Sequence, residues 1–378
     1  MKIAVMKETH PGEQRVPLIP ATAEKLVKLG AEVEIETGLG LSCRHTDDDY
    51  ARVGARIKNS RDEMLRSADM VLRLRKPLCE EVVLMKNGAI HLSYLDPFRE
   101  TQLVEQLAAA NISAISLEML PRTTLAQKMD VLSSQANLAG YVSVILAAAQ
   151  LDRILPMMTT PAGTIKPARV FIIGVGVAGL QAIATAHRLG ARVEAFDTRP
   201  EVEEQVKSLG AKFVKIDLGA TGETKDGYAK ALTPEQMRQQ QEGMAKACAQ
   251  ADIVITTAQL FGRPAPRLID RAMLARMQPG SVIVDMAVES GGNVEGSEVD
   301  KITAMEGVKI IGLANLPGRV AQTASQMYSA NLGNFVEHFW DKEQKIFCLR
   351  LEDEIIHGAL ITHGGRIVND MYQSIINK

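Results

Sequence analysis

Short runs of β-branched and other apolar residues alternate with amphipathic stretches along almost the whole chain, which is the pattern of a parallel α/β protein. In the first third, residues 3–6, 33–36, 70–74 and 112–116 predict strands, and 20–29 predicts a helix closed by Gly30. Gly38 and Gly40 then mark a turn, and no glycine cluster of the phosphate-binding kind opens a helix in this part. An Ala-rich helix is predicted over 138–151, its low polarity suggesting burial between domains. Beyond Pro156, Pro161 and Pro167 a second series of strands is predicted at 170–173, 193–196, 213–216, 253–256, 282–285 and 309–311. A helix over 325–340 and a strand-like KIFCLRL follow. The expected architecture is α/β, with two Rossmann-like domains whose parallel sheets are separated by a cleft and joined by long helices. A nucleotide domain is expected over 134–315, with 1–133 and 316–378 forming a discontinuous first domain.

One segment breaks this rhythm. Residues 217–243 are polar and Gly-rich, and end in a Gln-rich stretch. A loop of this length reads either as a lid or as a solvated excursion ending in a helix.

Length supports the two-domain expectation, since 378 residues exceed the usual size of one compact core. A net charge of −2 offers no field for nucleic acid or anionic lipid. The four cysteines, Cys43, Cys79, Cys248 and Cys348, are scattered without paired spacing, which argues against a disulfide framework or a zinc site. The N-terminus lacks the apolar run of a secretory signal. The predicted 138–151 helix falls short of the roughly 20 apolar residues that span a bilayer, so any membrane role is expected to come through a partner.

Chemistry first becomes legible at VFIIGVGVAGL, residues 170–180. Gly174, Gly176 and Gly179 stand in GxGxxG spacing between a strand and a helix. The first permits a tight turn, the second lets backbone approach a pyrophosphate, and the third allows close helix–strand packing. Val177 and Ala178 open the helix, whose N-terminal N–H groups and dipole favour phosphate. Asp197, in AFDTR, closes the next strand at the distance expected of an acid accepting ribose hydroxyls. Its charge favours NAD over NADP, although Arg199 offers a cation that could take a 2′-phosphate. The plainer alternative is a structural glycine turn with Asp197 as a cap.

With these motifs placed, a resemblance runs from end to end. GEQRVPLIP, ADMVLRLRKP, the segment 119–141, IIGVGVAGLQAIATAHRLGA, PGSVIVDMAVESGGN and ANLPGRVAQTAS resemble the alanine dehydrogenase and transhydrogenase superfamily. MLPRTTLAQKMDVLSSQANLAGY resembles the RQD loop of the transhydrogenase NAD(H) domain. That similarity implies that Arg122, Gln127, Lys128, Met129 and Asp130 lie beside the nicotinamide and its ribose, with Ser133 near the carboxamide. It implies that Asp130 orients Arg122. Without the resemblance, the same loop reads as solvated, with Arg122 and Asp130 merely paired. Thr198 and Arg199 are implied to flank the adenosine, Gly227 and Tyr228 to belong to a mobile closing loop, Leu260 to lie at the ligand-binding sheet edge, and Glu289 to be residual or to contact the nicotinamide ribose.

The superfamily has two branches. Alanine dehydrogenases carry an arginine and a lysine for substrate and a histidine as acid/base. Here Arg15 is retained, but Arg75 stands at the lysine place, beside Lys76, and Asp96 at the histidine place, with His91 five residues too early. Arginine does not readily give up a proton, and an ionised aspartate is a poor donor near neutral pH. Oxidative deamination needs such groups; hydride transfer between two nicotinamide rings needs only proximity and excluded water. The expectation is therefore an NAD(H)-binding component, with Gln127, Arg122 and Asp130 at the reacting end. Its implied partners are an NADP(H)-binding transhydrogenase domain and a membrane-spanning proton-channel component. A homodimer, cytoplasmic and peripheral to the inner membrane, is implied as well. The alternatives are an amino-acid dehydrogenase and a non-catalytic NAD-sensing module.

Overall fold

The computed structural model describes residues 1–219 and 233–376. The chain divides into two compact units, one formed by Met1–Gln135 with Gly318–Lys378 and the other by Ala136–Pro317.

In the first unit, β1 (Lys2–Val5), β2 (Glu32–Glu36), β3 (Arg56–Lys58), β4 (Met70–Leu72), β5 (Ile90–Ser93) and β6 (Ser113–Ser116) form the body of a parallel sheet. Ile3 lies level with Val33 on one side and Met70 on the other, so the apolar run of β1 is buried on both faces. Two of these strands escape the apolar-run criterion. β3 is polar and largely exposed, being an edge strand. β5 carries His91 and Ser93, both fully buried, with His91 Nε2 2.9 Å from Ser93 Oγ.

The second unit contains β7 (Met158–Thr160), β8 (Gly163–Ile165), β9 (Arg169–Ile173), β10 (Arg192–Phe196), β11 (Lys212–Phe213), β12 (Ile253–Thr256), β13 (Val282–Asp285), β14 (Lys301–Met305) and β15 (Val308–Gly312). β7 and β8 make an exposed hairpin where the prolines predict a break. The other strands form one sheet in the order β11-β10-β9-β12-β13-β15-β14, parallel except for β14 against β15. The order reverses at β9, with β10 leaving to one side and β12 to the other, which makes the C-terminal end of β9 the switch point of a doubly wound sheet.

Helix Val131–Gln150 starts seven residues earlier than the apolar pattern predicts. Its first turn is stabilised by Asp130, whose carboxylate accepts from Ser133 N at 2.9 Å and Ser133 Oγ at 2.5 Å. By length and composition alone this 20-residue helix is long and apolar enough to cross a membrane. Val144 and Ala147 are nevertheless fully buried in the core of the second unit. After the second unit the chain adds β16 (Trp340–Asp341) and β17 (Ile346–Phe347) as a small hairpin, so only two residues of KIFCLRL are strand. β18 (Leu360–His363) then pairs antiparallel with β6, and β19 (Arg366–Ile367) with β18, completing the first sheet.

Candidate functional site

The glycine turn lies at the switch point between β9 and helix Val177–Arg188. Gly174 has φ +97°, a left-handed conformation that excludes most side chains. A Cβ on Gly179 would sit 2.0 Å from the Gly174 carbonyl oxygen, so the helix approaches the strand only because that position is glycine. Gly176 is different: a Cβ there would meet nothing within 4 Å, leaving open space above its backbone among the described residues. The Gly176 position supplies no side-chain cap to the helix that begins at Val177 and Ala178. An uncapped helix N-terminus facing open space fits the pyrophosphate of a dinucleotide.

Asp197 follows β10 and braces this turn. Its Oδ2 accepts from Val175 N at 2.7 Å and from Arg199 Nη2 at 2.9 Å, while Oδ1 accepts from Arg199 N and Nε, both at 2.9 Å. Arg199 Nη2 also donates to Val175 O at 3.2 Å. These donors take the four principal acceptor positions of the carboxylate. A ribose hydroxyl reaches Asp197 only where the Arg199 side chain gives way. Thr198 stands half-buried between them.

On the other side of β9, Leu260 is 38% exposed in the loop after β12, where it bridges to Arg263. Glu289 is exposed on the Val288–Ser290 turn after β13, and its Oε2 accepts from Asn315 N at 3.2 Å. Gly227 and Tyr228 lie outside the described residues. The Gln-rich stretch forms helix Pro234–Cys248, capped by Thr233.

In the first unit, the 120–130 loop is a tight structure with two anchors. Ala126 and Met129 are buried in the core, and successive turns run from Thr123 O to Ala126 N and from Ala126 O to Met129 N. The amides of Asn331 and Asn334 both donate to Lys128 O at 3.0 Å. Anchoring of this kind leaves Arg122, Gln127 and Lys128 exposed. Met129 is fully buried, so its side chain serves the core. Asp130 uses its carboxylate to cap the following helix through Ser133.

Arg15 occupies a buried centre that the sequence leaves only partly legible. Glu13 accepts from Arg15 Nε at 2.8 Å and Nη2 at 2.7 Å, and also from Arg75 Nε at 2.9 Å. Arg15 Nη1 donates to Gln135 Oε1 at 2.8 Å. Burial acts to raise the Glu13 pKa, but the hydrogen bond and charge of Arg15, with Arg75 adding, hold it at about 2. Glu13 and Gln135 are missed by sequence reading. Only the GEQR tetrapeptide hints at the first, and nothing local hints at the second. Asp96 points elsewhere: its side chain is 48% exposed, 3.9 Å from Arg99, on a residue with φ +49°. His91 is wholly buried, and burial with the charge of Arg73 pushes its pKa down to about 3.

Comparison with known proteins adds the following. Residues 4–139 match the family described as alanine dehydrogenase/PNT, N-terminal domain, and residues 143–370 match alanine dehydrogenase/PNT, C-terminal domain. The chain is 47% identical over 376 residues to an NAD(P) transhydrogenase alpha-subunit polypeptide of Rhodospirillum rubrum, covering 98% of each sequence. The crystal structure of transhydrogenase from Sinorhizobium meliloti has a TM-score of 0.87 at 44% identity, covering 97% of this chain and 100% of that one. An L-alanine dehydrogenase structure has a TM-score of 0.83 at 28% identity, covering 100% of this chain and 99% of that one.

Proposed function

This chain belongs to the alanine dehydrogenase/PNT family, and from that premise we propose that it is the NAD(H)-binding subunit of an NAD(P) transhydrogenase. In this reading it passes hydride between NADH and NADP⁺ held on a partner subunit, and a membrane-spanning component couples the transfer to proton translocation. The subunit is a homodimer attached to the inner membrane through those partners.

The observation that carries the reading is the state of the Arg15 centre. An amino-acid dehydrogenase needs a cation free to take a substrate carboxylate and a group that titrates near neutrality. Here all three nitrogens of the Arg15 side chain already donate to Glu13 or Gln135. His91 stays neutral and enclosed, and Asp96 faces Arg99 at the surface. Hydride exchange between two nicotinamides asks for none of these groups.

The chain's own residues are assigned as follows. Gly174, Gly176, Val177, Ala178 and Gly179 bind the pyrophosphate through backbone N–H groups and close approach. Asp197 holds the adenosine ribose and favours NAD(H) over its 2′-phosphorylated counterpart, with Thr198 and Arg199 flanking the adenosine. Arg122, Gln127 and Ser133 meet the nicotinamide end, and Asp130 keeps Ser133 and the loop in register. Bound NADH supplies the hydride, becoming NAD⁺ as NADP⁺ becomes NADPH, and no proton is released by the transfer itself. The protein contributes position and exclusion of water.

Quenched-flow mixing, with chromatographic separation of NADPH from NADH, tests this directly. NADH and this chain are mixed with a purified, NADP⁺-loaded NADP-binding domain of a transhydrogenase. Fast transfer that needs both proteins supports the donor role. Absence of transfer, with NADH binding demonstrated, overturns it, and turnover of alanine by the chain alone would bring back the dehydrogenase reading.

A further inference from the structure

Asp285 ends β13 and is fully buried, yet the bonds that the structure gives its carboxylate come chiefly from backbone rather than from a cation. Oδ1 accepts from Ala287 N at 3.0 Å, and Oδ2 accepts from Asn293 N at 2.9 Å and Val294 N at 3.2 Å. Gly291 and Gly292, with φ +102° and +79°, let the chain double back so that those two N–H groups converge on one oxygen. A Cβ on Gly292 would come within 2.8 Å of Oδ2, so the return is fitted closely around the carboxylate.

The fully buried Asn293 then extends the hold to a second loop. Its Nδ2 donates to Ala258 O at 2.9 Å and Pro266 O at 2.8 Å, at the two ends of the loop after β12. Ser290 O accepts from Ala265 N at 2.8 Å, and Asn293 O from Leu268 N and Ile269 N. Gln259 Nε2 reaches Met286 O at 3.1 Å. One carboxylate and one amide thus set the shape of the two loops that carry Leu260 and Glu289.

Both loops lie on a particular side of the switch point. The glycine turn ends β9, and Asp197 follows β10, which takes the adenosine half to the β10 side. A dinucleotide lying across the switch point places its other half over the ends of β12 and β13. We infer that Asp285, acting through Asn293, is a positioning residue for the nicotinamide half of the bound nucleotide, shaping the surface it rests on without touching it. The inference rests on the nucleotide-binding reading above and adds to it a residue for which the family resemblance supplied no role.

The test separates the two halves of the ligand. Asp285→Asn and Asn293→Ala, each in the full chain, are titrated calorimetrically with NADH and with ADP, which carries the adenosine and pyrophosphate alone. The emission of bound NADH is recorded in parallel as a signature of the dihydronicotinamide environment. The expected result for either variant is a Kd for NADH raised on the order of tenfold, with altered bound-NADH emission. ADP binding is expected to stay within about twofold, since nothing at Gly174–Gly179 or Asp197 is disturbed. Equal weakening of NADH and ADP, or no change in either, overturns the positioning role. Should Asp285→Asn not fold, Asn293→Ala decides alone, because it removes the tie between loops and leaves the carboxylate with its own backbone donors. Failure of the unaltered chain to bind either nucleotide would overturn the nucleotide-binding reading itself and this inference with it.

Discussion

Asp197 and Arg199 show how a residue-level motif acquires its meaning from neighbours. The aspartate is legible as a ribose acceptor, but its acceptor positions are filled by Val175 and Arg199. Arg199 therefore neutralises Asp197 and, in the proposed function, is the group a ribose hydroxyl would displace. Arg199→Ala is expected to hold or tighten NADH binding and to weaken NADPH binding further, widening the preference measured by titration of both. A larger loss for NADH than for NADPH would make Arg199 a direct ligand of the ribose. Gln127 stands exposed on a loop anchored by Ala126 and Met129, so shortening it leaves the anchors intact. Gln127→Asn is expected to slow hydride transfer far more than it weakens NADH binding; equal losses in single-turnover rate and affinity would remove the role assigned to it. His91 adds a pH dependence. Its pKa falls from 6.5 to about 3 on burial, so the unfolded chain takes a proton that the folded chain refuses as pH drops below 6.5. The stability this neutral site contributes is complete above pH 6.5 and is lost as pH falls towards 3. Between pH 7 and 5 the loss amounts to about 2 kcal/mol. His91→Leu is expected to flatten that part of the urea-unfolding profile relative to the unaltered chain, and an unchanged slope would show that His91 does not carry it.

At the scale of elements, the glycine turn separates two requirements that the GxGxxG pattern alone merges. Gly179 packs against backbone, with a Cβ only 2.0 Å from a carbonyl oxygen that cannot swing aside. Gly179→Ala is expected to cost both stability, by about 1–3 kcal/mol in urea unfolding, and NADH binding. Gly176 faces open space, so Gly176→Ala is expected to leave the unfolding midpoint unchanged while NADH affinity falls. If Gly176→Ala binds NADH normally, the open space is not where the pyrophosphate lies. The element pattern was most legible where apolar runs were longest. β1, β9, β12 and β13 are buried on both faces and could be read directly. β3 and β5 could not, because one is an edge and the other interrupts its apolar run with the buried pair His91 and Ser93. The early start of helix Val131–Gln150 was hidden for a related reason: a cap, not an apolar face, sets it.

For the whole molecule, the hydrophobic clusters follow the two units. One gathers Ile3, Leu72, Tyr328 and Ile355, and the others gather residues such as Val170, Ile255 and Phe171. ADP, which reaches only the glycine turn and Asp197 in the proposed function, is expected to slow amide exchange in β9, β10 and β12 and to leave β1, β4 and β5 unaffected. Uniform protection of both sheets would contradict a binding site for ADP confined to the second unit.

The sequence by itself determined the α/β alternation and the dinucleotide turn. Both rest on local physics: the period of burial along a strand and the sterics of glycine at fixed spacing. It also displayed the replaced side chains Arg75 and Asp96, since residue identity needs no fold to be read. The tertiary structure alone decided which groups those side chains meet. Arg15 reaches Gln135 across 120 residues, and Asn293 binds two carbonyls 35 and 27 residues away. Such partners are chosen by the packing of whole elements, and burial makes each pairing costly to leave unmade. Whether an arginine stands ready for substrate or is already held by the protein is therefore settled only in the folded chain.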